Sequence, residues 1–202
     1  QTVQIIYNLF RQRPADLLFE ETQKRGVGIL ARLPLSSGLL SGKMAADSHF
    51  AADDHRLFNR EGAAFDKGET FSGLDYAVGL QAVEAMRPLV PEGMTMAQMA
   101  LRWIQMHPAV TCSIPGGKRA SQVADNVAAA DMPALSDSTM QALAEVYARF
   151  AKPLVHQRWS GDWHDHRKHL RNYRLHRPGP DGPRHGQEHR GQGLPAYLLR
   201  TQ

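Results

Sequence analysis

The chain has 202 residues, 42% of them apolar, with a single cysteine and a net charge of +4 when histidine is neutral. That is enough chain for one domain with a buried core. One thiol excludes an internal disulfide and points to a reducing, cytoplasmic setting. No run of eighteen apolar residues is present, which argues against a membrane helix.

The positive charge invites a nucleic-acid partner, but its location argues against one. Residues 160–202 hold eight Lys or Arg, four Asp or Glu and six of the ten histidines, while residues 1–159 are balanced. The basicity belongs to a tail, and so sharp a shift in composition places a boundary near Trp159.

The chain opens Gln-Thr-Val-Gln-Ile-Ile-Tyr, directly inside an apolar run, which predicts a strand over residues 3–7 and a cut within a fold. Pro14 suits the first turn of a helix that Gly26 closes. Residues 27–33 (VGILARL) are apolar nearly throughout, as a parallel strand covered on both faces would be. Residues 36–70 are rich in Gly, Ser and charge, without periodicity, and predict a long loop. A helix follows over about 74–89. The next one is better marked: Thr95 and Gln98 have capping-box spacing, Met99 and Trp103 lie on its apolar face, and His107-Pro108 stops it. That Met and Trp stripe reads as core.

Residues 110–114 (VTCSI) predict a third strand, which ends in Pro115-Gly116-Gly117-Lys118-Arg119. Helices follow over about 121–129 and after Ser136. Buried strands alternating with helices predict a parallel α/β fold. Three strands alone would leave open sheet edges, again the mark of a piece of a larger fold.

The strand-to-helix turn at 115–119 carries the clearest chemistry. Its glycines allow close backbone approach, and a helix N-terminus offers free N–H groups beside the charges of Lys118 and Arg119. Gln122, Asp125 and Asn126 lie on one side of that helix. The pattern suits a phosphate joined to a sugar or base, and equally an ordinary Gly-rich turn with surface charges. Neither a Walker loop nor a Gly-x-Gly-x-x-Gly fingerprint is present.

Three segments, QIIYNLFRQRP, ILARLPLSSGLLSGK and MAQMALRWIQMHPAVTCSIPGGKRASQVADNVAAA, together resemble successive blocks of the aldo-keto reductases. The resemblance covers about residues 1–159. It implies an α/β fold that is part of a (β/α)8 TIM barrel, comprising its last three strands and their helices, with the active site at the strands' C-terminal ends.

Position by position, it implies a site for NADP. Gln4 matches the strand Gln that hydrogen-bonds the nicotinamide carboxamide. Arg32 stands where many members stack a Tyr on the nicotinamide ring. Leu33, Pro34, Leu35, Ser37 and Gly38 match the turn that passes along the pyrophosphate. Ile114, Gly116, Lys118, Gln122, Asp125 and Asn126 match the adenosine end. There Lys118, or Arg119 sharing its role, would meet the 2′-phosphate and favour NADP over NAD, and Asp125 would accept from the adenine amino group.

The family's catalytic Asp, Tyr, Lys and His have no match here, because they lie on earlier strands. The resemblance therefore implies an NADP(H)-dependent oxidoreductase reducing aldehydes or ketones, truncated and inactive alone. The alternative is a non-catalytic NADP(H)-binding or regulatory protein of the same fold. The expected partners are a nicotinamide dinucleotide and a small carbonyl substrate, with no nucleic acid and no membrane. The sequence leaves the oligomeric state open.

The tail at 160–202 does not resemble the family. Its Pro, Gly and charge content reads as disorder, and a shifted reading frame near Ser160 is the alternative. His164, His166 and His169 lack the second ligand pair of a structural zinc site, so no metal is expected.

Overall fold

A computed structural model describes residues 1–160 and 199–200. Three parallel strands form the sheet: β1 (Thr2–Ile6), β2 (Gly28–Arg32) and β3 (Val110–Ser113). They lie side by side in chain order, and a two-residue strand β4 (Leu199–Arg200) runs antiparallel along β3. The remainder of the basic tail, including the three spaced histidines, lies outside the described residues.

Register decides which face is packed. Val3 pairs with Ile29 and Ile5 with Ala31, and these four side chains turn toward the helices and the core. Gln4 with Leu30 and Ile6 with Arg32 occupy the other face. Residues 27–33 predict cover on both faces. Among the described residues, β2 alternates between buried and half-buried positions, so the second face is only partly covered. Between β2 and β3 the register shifts at Ile29/Leu30. The hydroxyl of Thr111 accepts a bond from the Ile29 N–H at 3.1 Å, and a β-carbon on Gly28 would meet that oxygen at 3.0 Å. Gly28 is therefore what lets the irregular stretch close.

The helices refine the reading from sequence. The helix expected after Pro14 is a 3-10 turn (Arg13–Ala15) followed by α1 (Leu18–Lys24). The loop at 36–70 contains a 3-10 segment (Ser36–Ser41) and a one-turn helix α2 (His55–Phe58), capped by the Asp54 carboxylate on the Arg56 N–H. α3 (Tyr76–Met86) gives way to a 3-10 turn at Arg87–Leu89, where Pro88 lacks the N–H that an α-helix needs. α4 (Met96–Gln105) carries the full Thr95/Gln98 capping box. α5 (Ala120–Ala128) follows β3, and α6 (Asp137–Val146) is capped by the Ser136 hydroxyl on the Thr139 N–H. It then widens into a π-turn at Tyr147–Ala151 before α7 (Lys152–Val155), whose Pro153 breaks the regular bonding.

The core lies between sheet and helices. Tyr7 stacks on Trp103 with ring centres 5.0 Å apart and meets Phe19 edge-on at 4.7 Å. The Met and Trp stripe of α4 is core, as its spacing suggests: Met99 is fully buried and Trp103 nearly so. At the far end of the chain the Tyr147 hydroxyl bonds His156 Nδ1 at 2.7 Å, and His156 Nε2 lies 3.1 Å from Asp16. This contact ties the last helices to the turn before α1.

Candidate cofactor cleft

A cleft of about 750 Å³ opens beside the turn that follows β3. One wall is Gly116, Gly117, Lys118 and Gln122; the other is Ser37 with Asp53, Asp54, His55, Arg56 and Phe58. Its volume lies in the range of about 300–1,000 Å³ usual for small-molecule sites.

The β3 turn is open on the cleft side. A β-carbon on Gly116 would meet nothing within 4 Å, so this backbone is bare toward the cleft. Gly117 serves packing instead, because a β-carbon there would come within 3.2 Å of Val123 on α5. Asn126 is buried and donates from Nδ2 to the Gly116 carbonyl at 3.3 Å, which holds the turn against the helix. The Lys118 and Arg119 N–H groups are not free, because the Gln122 side-chain oxygen accepts both, at 2.9 and 3.1 Å. Gln122 is the third residue of α5, and its side chain reaches back to the N–H groups at and before the cap, as the N3 residue of a capping box does. The exposed Lys118 and Arg119 side chains add formal positive charge to the turn.

The turn after β2 is built differently. Leu33, Ser36, Ser37 and Gly38 have φ of 49°, 50°, 55° and 99°. Pro34 and Ser36 are buried within it, while Leu35 packs against both core clusters. The Ser37 hydroxyl accepts from the Phe71 N–H at 3.1 Å and lies 3.3 Å from the Glu69 carbonyl. Arg32 is committed to Glu69 through two bonds, one of them 2.6 Å long, so its guanidinium is held at the end of β2.

Of the fourteen residues implied by the resemblance, the cleft brings together Ser37, Gly116, Lys118 and Gln122. Leu33, Pro34, Leu35 and Gly38 flank Ser37. Ile114 continues β3 by donating to the Ala31 carbonyl at 2.9 Å, and Arg119 precedes α5. Gln4 is exposed on β1, and Asp125 is exposed on α5 with its carbonyl accepting from Gln98 at 3.3 Å; neither lines the cleft.

The 53–58 wall was not read from sequence. Asp54 pairs with Arg56 by several bonds of 2.5–3.1 Å. The Arg56 guanidinium pulls the Asp54 carboxyl down to about 2, so it stays ionised at neutral pH. Arg56 also lies over the Phe50 ring at 4.6 Å, and its Nη1 would sit 3.8 Å from a β-carbon on Gly38. The one available signal was an Asp two residues before the Arg whose N–H it caps. Among the described residues no cluster of His, Cys, Asp and Glu could hold a metal ion, and no helix is long and apolar enough to cross a membrane.

Parallel strands with helices between them, and a polar cleft at the C-terminal ends of two of those strands, define an α/β protein whose cleft lies where such folds commonly bind ligands. Residues 1–148 match the model of the Aldo/keto reductase family, and the chain belongs to that family. A probable voltage-gated potassium channel subunit beta of Arabidopsis thaliana is 28% identical over 148 residues, covering 69% of this chain and 42% of that protein. The L-glyceraldehyde 3-phosphate reductase of Escherichia coli K12 is 34% identical over 112 residues, covering 55% of this chain and 31% of that one. The structure of a glycerol dehydrogenase from Gluconobacter oxydans shares the fold, with a TM-score of 0.59 at 24% identity over 74% of this chain and 42% of the other. The chain thus spans less than half the length of each of these relatives.

Proposed function

We propose that residues 1–148 form the cofactor-binding side of an aldo-keto reductase that uses NADP(H) to reduce an aldehyde or ketone. The observation that supports this reading best is the cleft itself. It sets the bare Gly116 backbone and the exposed Lys118 of the β3 turn opposite Ser37 of the β2 turn. A dinucleotide needs both ends: cations for a phosphate and a close-packed turn for the pyrophosphate. In this reading Lys118 and Arg119 meet the 2′-phosphate, the 33–38 turn runs along the pyrophosphate, and Arg32 and Gln4 face the nicotinamide. NADP(H), when bound, supplies the hydride; these residues bind and orient it.

None of the described tyrosines is placed to donate a proton to a ligand in the cleft. Tyr7 is stacked in the core, where burial pushes its phenol up, and Tyr76 donates to the Ala45 carbonyl at 2.8 Å. Tyr147 is bonded to His156, and none of the three lines the cleft. The domain boundary near Trp159 and a reducing cytoplasm, in which the buried Cys112 stays a thiol, belong to the same reading.

The test is cofactor choice in the protein that contains residues 1–202. A charge-assisted bond contributes roughly 1.5–3 kcal/mol, so Lys118→Ala or Arg119→Ala is expected to weaken NADPH about tenfold to a hundredfold and NADH little. Equal weakening of both cofactors by each single variant and by the double variant, in fluorescence titration, would remove this turn from the 2′-phosphate.

The plant relatives named as probable channel subunits favour a second reading, a regulatory protein that binds NADP(H) without turnover. NADPH-dependent reduction of a simple aldehyde separates the two.

A further inference from the structure

Asn8 lies just beyond β1 and has no solvent exposure, yet its side chain is fully engaged. Its Nδ2 donates to the Leu33 carbonyl at 2.7 Å and to the Ser72 hydroxyl at 2.9 Å, while Oδ1 accepts from the Phe10 N–H at 2.9 Å. The Ser72 hydroxyl lies 2.8 Å from that of Ser36, and either can donate. Ser36 and Ser72 are also without solvent exposure.

The segments these bonds join are strained. Leu33, Ser36 and Ser37 on one side, and Phe71 and Ser72 on the other, all have φ between 49° and 60°. Side chains with a β-carbon rarely adopt that region, and they persist there only where surrounding structure over-determines them. Buried amide and hydroxyl groups supply that determination, since breaking any bond would strand a polar atom away from water. Arg11 braces the second segment from below, with Nη1 3.4 Å from the Ser72 carbonyl. Ser37, which lines the cleft and is itself at φ 55°, sits between the fastened Ser36 and Gly38.

We propose that Asn8, acting through Ser72 and Ser36, is a positioning residue that sets the 33–38 turn for the pyrophosphate of the dinucleotide. The inference rests on the NADP(H) reading above and adds a residue that lines no part of the cleft. It separates the two ends of the ligand: the Asn8 network governs the pyrophosphate end, while Lys118 and Arg119 govern the 2′-phosphate end.

Two ligands test it in the protein containing residues 1–202: NADPH, and adenosine 2′-monophosphate, which carries adenine and the 2′-phosphate but no pyrophosphate. Asn8→Asp keeps the shape but removes both Nδ2 donors. It is expected to raise the NADPH dissociation constant about tenfold or more and to leave that of adenosine 2′-monophosphate within about twofold. Ser72→Ala, which adds no charge, is expected to show the same split with a smaller rise. It decides the matter if Asn8→Asp does not melt cooperatively. Lys118→Ala is expected to weaken both ligands. Equal weakening of both ligands by Asn8→Asp and Ser72→Ala would reduce the network to general stability and overturn the proposal, as would no weakening at all. If the unsubstituted protein binds neither ligand, the dinucleotide reading fails and the proposal falls with it.

Discussion

The turns after β2 and β3 occupy equivalent places, each at the C-terminal end of a parallel strand and each lining the same cleft. They are held by opposite means. The β2 turn is strained and partly buried, and residues from two distant segments pin it: Asn8, and Glu69, Phe71 and Ser72 of the 69–72 stretch. The β3 turn is exposed and closed by its own neighbours, Gln122 four residues on and Asn126 ten residues on. One wall of the cleft thus depends on the whole domain being folded, and the other on a local cap. The rigid wall suits a ligand group that must be placed, and the open wall suits charges that must be reached by solvent-borne phosphate.

Two glycine substitutions should break the comparison if it is wrong, and they carry the largest stability difference. Gly38 has φ of 99°, and a β-carbon there would come within 2.7 Å of Met44 Cε, so Gly38→Ala is expected to cost about 1–3 kcal/mol. Gly116→Ala would point into open space and should leave stability within about 0.5 kcal/mol while lowering cofactor affinity. Urea unfolding monitored by fluorescence measures both, and similar losses for the two variants would show that the turns are not held differently.

A smaller effect sharpens the local half of the contrast. Gln122→Ala removes the acceptor of two N–H groups and should cost about 0.5–1 kcal/mol, as loss of a helix cap does. Hydrogen exchange should speed up at Lys118 and Arg119 and stay unchanged over residues 33–38. Faster exchange in both turns would mean that they are coupled.

The smallest expected effect is a shallow pH dependence set by the aromatic core around Tyr7 and Phe19, away from both turns. His107 packs edge-on against Phe19 at 4.8 Å, and its Nδ1 accepts from the Ala109 N–H, so the folded chain needs the ring neutral. Burial lowers its pKa below the ordinary 6.5. The unfolded chain therefore takes up the proton first as pH falls. This contribution to stability is complete above about 6.5 and declines from there toward the lower folded value. Denaturation midpoints measured between pH 5 and 8 should show this slope, and His107→Phe should flatten it. An unchanged slope in that variant would assign the titration to another group.

What could be read in advance follows sequence distance. The Thr95/Gln98 box and the Ser136 cap span three residues, so local spacing contains them. The Gly-Gly-Lys-Arg turn was legible for the same reason, although its N–H groups were not, since Gln122 had been read as a ligand contact and serves as the cap. The Asn8–Ser72 bond joins residues 64 apart and the Arg32–Glu69 pair residues 37 apart. No periodicity links such pairs. The 53–58 wall was missed because a one-turn helix is too short to show a repeat.

Alternating apolar strands and capped helices by themselves determined the parallel α/β order, the core stripe of α4 and the basic turn after β3, because each is set by residues within a helical turn or a strand's pleat. Tertiary structure alone decided which residues face one another across the cleft. It committed the guanidinium of Arg32 to Glu69 and fixed Ser37 beside the fastened Ser36. Those outcomes depend on burying polar groups from distant segments together, and the cost of leaving any of them unpaired exists only once the chain has closed around them.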